Sequence, residues 1–170
     1  RVAAARTDTL SANEFSLAGC PMAYRAEYAV LVYVSDLGGH DDGSVFAAPF
    51  TTPWSNEFED GPVVSGTPTS DAVTIDFNTT KSGAVWGVIV LDMHASLITQ
   101  DTIKAAQMYA LGAVSCQHMG AAIDTTTSLV FSGCALSFAT TYKAFIYIED
   151  GAALDDGKLV GPIDVNVPGS

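Results

Sequence analysis

Cysteines are the residues whose type and spacing most directly suggest chemistry in this chain. Cys116 and Cys134 lie close together in the sequence, and Cys20 stands far upstream. A Cys116–Cys134 disulfide would stabilise the fold by roughly 3 kcal/mol. Cys20 would then need a partner outside this sequence, because an odd cysteine in a disulfide framework indicates a missing mate. Disulfides predict an extracellular or cell-surface protein, and three reduced, buried thiols are the alternative.

Aspartates are concentrated in two acidic turns, where calcium is the ligand that they could bind. Calcium prefers several oxygen ligands at about 2.4 Å, and a turn with three carboxylates could supply part of that shell. The chain contains no EF-hand loop. The competing explanation is that aspartate and glycine suit the geometry of the turns. The residues concerned are Asp36, Asp41, Asp42, Asp150, Asp155 and Asp156.

Covalent glycans are a further modification that the sequence suggests. Asn78 begins the sole Asn-x-Ser/Thr acceptor and precedes a Lys-Ser-Gly turn, so it is the predicted N-glycosylation site. Threonine-rich turns add candidate O-glycosylation sites, with ordinary polar loop composition as the alternative at each one. These candidates are Thr51, Thr52, Thr67, Thr69, Thr125, Thr126 and Thr127.

Composition and the absence of known motifs disfavour other chemistry. The chain has no G-x-S-x-G elbow, P-loop or H-E-x-x-H, so we predict no enzymatic activity and no cofactor apart from the calcium hypothesis. Seven Lys+Arg against 19 Asp+Glu give a formal net charge of −12. Such a surface disfavours nucleic acid, because phosphate binding needs concentrated positive charge. No apolar run approaches the roughly 18–20 residues of a membrane helix, so no membrane insertion is expected.

The strongest pattern in the chain is an internal repeat. GCPMAYRAEYAVLVYVSDLGGHDDG (19–43) aligns without a gap on GCALSFATTYKAFIYIEDGAALDDG (133–157), at an offset of 133 − 19 = 114 residues. A shared cysteine, two shared tyrosines and an Asp-Asp-Gly turn in one register favour duplication over chance similarity. The identical pairs are Gly19/Gly133, Cys20/Cys134, Tyr28/Tyr142, Tyr33/Tyr147, Asp36/Asp150, Asp41/Asp155, Asp42/Asp156 and Gly43/Gly157.

Each copy of the repeat predicts a β-hairpin. The segments YAVLVYVSD and YKAFIYIED are rich in β-branched and aromatic residues, as half-buried strands are. The acidic turn returns the chain into a final strand that carries a proline suited to a sheet edge. Upstream of the second copy the sequence predicts further short strands and one helix, in TQDTIKAAQMYAL, with Thr99 as its cap. The apolar positions at helical spacing are Ile103, Ala106 and Tyr109 or Ala110.

Two tyrosines carry a resemblance to a known fold. Leu136 lies six residues before Tyr142, and Met22 lies six residues before Tyr28. This spacing before an alternating strand resembles the tyrosine corner of fibronectin type III and related immunoglobulin-like domains. The resemblance implies that each tyrosine hydroxyl bonds back to the chain entering the penultimate strand.

The resemblance covers residues 60–168 well and residues 8–52 partly. Phe77 stands where many type III domains carry tryptophan, and the helix-containing segment 95–112 is an insertion relative to those domains. Resemblance of this kind implies a fold and says nothing specific about function.

The predicted fold class is all-β: tandem Ig/fibronectin-III-like antiparallel β-sandwiches, the first incomplete and the second with a short helical insertion. Residues 1–52 form the C-terminal part of the incomplete repeat, 53–61 a short linker and 62–168 the complete sandwich. A few strands with an apolar face cannot bury that face alone. We therefore expect further polypeptide to complete the first copy, either an upstream repeat or strands from a neighbouring subunit.

Together these expectations indicate a structural subunit of an extracellular glycosylated filament or cell-surface stalk. A short linker with apolar anchors favours a fixed angle between repeats, and hence a rod or fibril. The predicted partners are copies of the same chain or adjacent repeats, without nucleic acid and without membrane insertion. The alternative is a carbohydrate-binding or calcium-dependent adhesion module of a larger secreted protein.

Overall fold

The computed structural model describes residues 16–35, 43–105, 114–151 and 155–169. These residues form antiparallel β-strands with little helix, so the predicted all-β class is confirmed. The chain divides into two compact units, Arg1–Pro53 and Trp54–Ser170. In the described part, no helix has the length and apolar character needed to cross a lipid bilayer.

The described part of the first unit contains a two-stranded antiparallel sheet. β1 spans Glu27–Val34 and β2 spans Ser44–Thr51, and the two strands pair along their full length. Both are rich in β-branched and aromatic side chains, which favour extended backbone. The rings of Tyr28 and Phe50, directly opposite each other, stack with centroids 5.9 Å apart. The turn between the strands includes residues 36–42, which lie outside the described residues.

The described part of the second unit contains seven strands in two antiparallel sheets. These strands are β3 (Phe58–Ser65), β4 (Ala72–Thr79), β5 (Gly83–Leu91), β6 (Val114–Ile123), β7 (Thr126–Ser132), β8 (Thr140–Glu149) and β9 (Lys158–Val167). One sheet has the order β3-β4-β7, and the other has the order β6-β5-β8-β9. β5 and β8 are the central strands of the larger sheet. Their nearly continuous apolar sequences are typical of strands that are covered on both faces.

The main apolar core lies between the two sheets of the second unit. Along β4, buried residues alternate with partly exposed ones, so that Val73, Ile75 and Phe77 enter the core. From the facing sheet, β8 contributes Tyr142 and Ile146 to the same core. The period-two pattern of these strands therefore determines which side chains hold the two layers together.

The other face of the larger sheet carries a second apolar cluster. Phe145 and Tyr147 of β8 are buried there. Residues of β5 and of the helical segment complete the cluster: Val88, Val90, Ile98 and Ile103. Both faces of β8 are thus covered, by different parts of the same unit.

The helical segment is short. A 3-10 helix spans Asp92–Leu97, and α1 spans Gln100–Lys104. The predicted cap, Thr99, is present: its hydroxyl accepts a hydrogen bond from the Thr102 amide, and the Thr102 hydroxyl accepts one from the Thr99 amide. The other predicted helical positions, Ala106, Tyr109 and Ala110, lie outside the described residues.

The stretch predicted as a linker, residues 53–61, lies mostly in the second unit. Its residues from Phe58 onward belong to β3, and Asn56 is buried. Nδ2 of Asn56 donates to the Lys81 carbonyl at 2.8 Å, and Oδ1 of Asn56 accepts from the Lys81 amide at 3.1 Å. These bonds anchor the start of the second unit to its β4–β5 turn.

Candidate functional site

Corresponding tyrosines fix the chain where it enters the first strand of each hairpin. The Tyr142 hydroxyl accepts a hydrogen bond from the Ser137 amide at 2.9 Å. The Tyr28 hydroxyl accepts one from the Ala23 amide, also at 2.9 Å. Each bond joins residues five positions apart, and the two bonds lie 114 residues apart. The same tyrosine hydrogen bond is therefore formed at both places.

A second pair of tyrosines fixes the turn of each hairpin. The Tyr33 hydroxyl accepts from the Gly43 amide at 3.0 Å, and the Tyr147 hydroxyl accepts from the Gly157 amide at 2.9 Å. The strand register beside the turn also agrees between the hairpins. The pairs Val34/Ser44, Tyr33/Val45 and Val32/Phe46 correspond to Ile148/Lys158, Tyr147/Leu159 and Ile146/Val160.

The two hairpins differ in the solvent exposure of their equivalent side chains. Leu31 is 70% exposed, whereas its counterpart Phe145 is 6% exposed. Tyr33 is 50% exposed, whereas Tyr147 is fully buried. We name the exposed side chains of the first hairpin the β1–β2 apolar surface: Leu31, Tyr33, Val34, Val45 and Phe46. Leu31, Tyr33 and Val45 lie on one face of the hairpin and Val34 and Phe46 lie on the other, so both faces expose apolar side chains of the kind found at interaction sites.

The disulfide expected between Cys116 and Cys134 is present. It joins β6 to the segment that follows β7, with Cα atoms 4.6 Å apart, and Cys134 is buried in the main core. The bridge therefore ties together elements that come from different sheets. Cys20, which corresponds to Cys134 in the repeat, is a half-buried free thiol.

An ionic cluster around the buried Glu149 lies beside the second apolar cluster. Glu149 is fully buried, and its Oε2 accepts hydrogen bonds from Lys104 Nζ at 2.9 Å and from the Tyr147 hydroxyl at 3.1 Å. Lys104 Nζ also bonds Asp155 Oδ1 at 2.5 Å and lies 4.7 Å from the centroid of the Trp86 ring. The cluster ties α1 to β8 and to the turn before β9.

The environment of this cluster shifts two pKa values. Burial by itself would lower the pKa of Lys104, but the hydrogen bonds and negative charges of Asp155 and Glu149 outweigh burial and raise it. Burial raises the pKa of Tyr147, and the negative charge of Glu149 raises it further, against the opposing effect of the hydrogen bond from Gly157. Both shifts therefore move the loss of the proton to a higher pH in the folded unit than in the unfolded chain.

Sequence reasoning did not find this cluster. Lys104 and Glu149 are distant in the sequence, and neither belongs to a motif. The available signal was a single glutamate that ends the apolar strand FIYIE, since a buried acid needs a charged partner. The partner itself becomes identifiable only when α1 is placed on β8.

The calcium hypothesis stays a prediction, and only the second acidic turn has candidate residues that the structure describes. In the second turn, the Asp155 carboxylate pairs with Lys104, which is already a cation. Within the described ranges, no group of three or more His, Cys, Asp or Glu side chains is placed to hold a metal ion. Oδ1 of Asp156 is buried without a hydrogen-bond partner among those residues. Asp150 is half-buried, and the first-turn candidates Asp36, Asp41 and Asp42 lie outside the described residues.

The predicted N-glycosylation residue, Asn78, lies near the end of β4. It alternates with the core residues Phe77 and Thr79, so its half-buried side chain is on the outer face of the sheet. Asp76, two residues earlier on the same face, accepts a hydrogen bond from Ser128 at 2.6 Å. Asn78 remains the predicted acceptor.

The position of Thr52 argues against its prediction as an O-glycosylation site. Its side chain is buried, and its hydroxyl donates to the Ala23 carbonyl at 2.6 Å and accepts from the Ala26 amide at 2.9 Å. A glycosyltransferase cannot reach such a hydroxyl without unfolding it. Two further hydroxyls take part in local hydrogen bonds, those of Thr69 and Thr127. The remaining candidates are exposed and stay predictions: Thr51, Thr67, Thr125 and Thr126.

Of all these features, the β1–β2 apolar surface is the best candidate for a functional site. Its tyrosine bonds match those of the β8–β9 hairpin, whose first strand is mostly buried, whereas the side chains of β1 are mostly exposed or half-buried. No family model, no curated protein and no solved structure matches this chain.

Proposed function

We propose that this chain is a structural subunit of an extracellular filament or cell-surface stalk, assembled through tandem repeats or inter-subunit strand complementation. One observation carries the proposal: the β1–β2 hairpin has the tyrosine bonds of β8–β9 and, beside the turn, its register, but its apolar surface is exposed. A hairpin that needs further strands joins its subunit to a neighbour by main-chain hydrogen bonds and apolar burial.

The repeat that we propose is an immunoglobulin-like or fibronectin-III-like sandwich. Strand order supports it, because one sheet holds β3-β4-β7 and the other holds β6-β5-β8-β9, with the penultimate strand β8 beside the last strand β9. Tyr142 near the start of β8 bonds back to Ser137, as the tyrosine corner of such domains does. The matching bond of Tyr28 supports the same assignment for the first copy.

An extracellular or cell-surface location and glycosylation are part of the proposal. The Cys116–Cys134 disulfide supports the location, since such bridges persist in oxidising compartments. Asn78, on the outer face of its sheet, is the proposed N-glycan acceptor. The net charge of −12 would give a polymer of this chain an acidic surface that resists lateral clumping.

Immunogold labelling of unpermeabilised source cells, with antibodies against the second unit, tests this proposal. We expect label along ordered surface filaments in negative-stain images of the same material. Label confined to the cell interior, or native extracts that contain only dispersed monomers, would contradict it. Enzymatic release of N-glycans should convert Asn78 to aspartate, which mass spectrometry detects in the peptide that contains it.

A further inference from the structure

We infer that β1 is the docking site for one strand of a partner polypeptide: an uncharged, β-branched strand of the β5 type, antiparallel to β1. This inference rests on the proposed function and names the contact through which assembly would occur.

The edge of β1 that faces away from β2 has no partner in the described residues. In the second unit the corresponding strand, β8, pairs with β9 on one side and with β5 on the other. An unpaired edge presents a row of free N–H and C=O groups that another strand can pair with. The second unit therefore displays, within the same chain, the strand that the first hairpin lacks.

The two faces of β1 lead to the same conclusion. In the second unit, Phe145 and Tyr147 are buried on one face of β8, and Ile148 is buried on the other. Their counterparts Leu31, Tyr33 and Val34 are all at least half exposed. An occupant that supplies only backbone hydrogen bonds would leave these side chains in water. In the second unit β5 carries apolar side chains on both of its faces, Val85 and Ile89 in one cluster and Val88 and Val90 in the other, so we expect the donor strand to carry apolar side chains on both faces as well.

The register of docking follows from the pairing of β5 with β8. There, Leu91 lies opposite Tyr142, Gly87 opposite Ile146 and Val85 opposite Ile148. The hairpins agree in register beside the turn, so these pairs transfer to β1 at the 114-residue offset. The donor residues equivalent to Leu91, Gly87 and Val85 should lie opposite Tyr28, Val32 and Val34.

The occupant is a partner strand and not the β5 of a second folded copy. In a folded copy, β5 is already paired on both edges, with β6 and with β8. The strand Gly83–Leu91 contains no charged residue, so a donor of this type adds none to a chain of net charge −12. The donor is thus a strand of this chemistry in another polypeptide, and it has no partner within its own fold. A repeat whose own hairpin is docked on a different molecule would present such a strand.

A peptide with the sequence of residues 82–91, SGAVWGVIVL, carrying a fluorophore and a short lysine tag for solubility, is the probe. Binding to the full chain in a Cys20→Ser background is followed by fluorescence anisotropy. We expect saturable binding, and we expect the peptide with Val88→Pro, which cannot continue a strand ladder, to lose it. Because this control changes only the peptide, the fold of the chain is the same in both measurements.

Engineered cysteines test the register. The chain carries Val32→Cys, and the peptide carries a thiopyridyl-activated cysteine in place of either Gly87 or Val88. The protein thiolate attacks the activated disulfide, and thiopyridone leaves. Directly opposed residues point to the same face, so the Gly87 peptide should react roughly tenfold faster than the offset Val88 peptide.

Three results would overturn the inference. The first is the absence of saturable peptide binding, and the second is an equal reaction rate for the two activated peptides. The third is self-association of the chain that covers β1 when no peptide is present. The peptide experiments use single chains and need no filament. Failure of strand docking is therefore distinguishable from failure of the proposed filament function, which microscopy tests separately.

Discussion

Leu31 and Phe145 are equivalent residues of two hairpins that share tyrosine hydrogen bonds and the strand register beside the turn, yet Leu31 is 70% exposed and Phe145 is 6% exposed. The backbone of the first hairpin is thus formed in the same way, while the layers that would bury its side chains are not part of the described first unit. This difference underlies the proposed function.

Alanine substitutions at these two positions should have unequal effects. Phe145→Ala removes a buried ring from the second apolar cluster and should cost about 3–5 kcal/mol of unfolding free energy. Leu31→Ala removes a side chain that is mostly in water and should change stability by less than about 0.5 kcal/mol. Equilibrium denaturation of the full chain, followed by circular dichroism, measures both. Similar losses for the two variants would mean that Leu31 is buried in solution.

The ion pair between Lys104 and the buried Glu149 predicts that two lysine substitutions have unequal effects on stability. Lys104→Met leaves Glu149 buried without its cation and should cost about 3–5 kcal/mol, whereas adding Glu149→Gln to that variant should recover much of the loss. Lys143→Met is the matched control, because its partners Asp92 and Asp164 are exposed, and it should change little. If denaturation midpoints fall equally for the two lysine variants, the cluster around Glu149 is solvated.

Stability of the second unit should decline at alkaline pH. The folded unit holds the Tyr147 proton more tightly than the unfolded chain, whose tyrosine has a pKa near 10.0, so this contribution is complete below pH 10 and is lost as the pH rises further. The raised pKa of Lys104 acts in the same direction above pH 10.5.

The readout is the denaturation midpoint between pH 8 and 11. Tyr147→Phe should lower stability at neutral pH, because the Gly157 amide loses its acceptor, and should flatten the alkaline decline. Tyr33→Phe makes the same change in the first unit and serves as the control. If the denaturation midpoint of Tyr147→Phe falls with pH as steeply as that of the unsubstituted chain, the Tyr147 phenol does not contribute to the alkaline loss of stability.

Reduction of the disulfide should destabilise the second unit alone. A loop of this length corresponds to about 3 kcal/mol, so the Cys116→Ser/Cys134→Ser variant should unfold at a correspondingly lower denaturant concentration. Cys20→Ser is the control and should leave that transition in place. Titration of the native chain with a thiol reagent should detect one reactive cysteine. Detection of three would mean that the bridge is absent in solution.

The local features of the fold were predictable from the sequence because they follow from short-range chemistry. The alternation in β4, the cap at Thr99 and the hairpins all depend on neighbouring residues. The ion pair was not predictable, because it joins Lys104 of a short helix to Glu149 of a distant strand. The burial of Thr52 was missed for the same reason: its hydroxyl bonds to the chain that enters β1. Such contacts are set by tertiary packing.

Amide hydrogen exchange in the dilute, monomeric chain tests the central claim most directly, by comparing residues 28–34 of β1 with residues 142–148 of β8. A two-stranded sheet with exposed faces opens readily, whereas a central strand opens only when its unit unfolds. The account predicts that β1 amides exchange at least roughly a hundredfold faster than β8 amides. Comparable protection of the two strands in the monomer would show that β1 is already covered, and would contradict the claim that it awaits a partner strand.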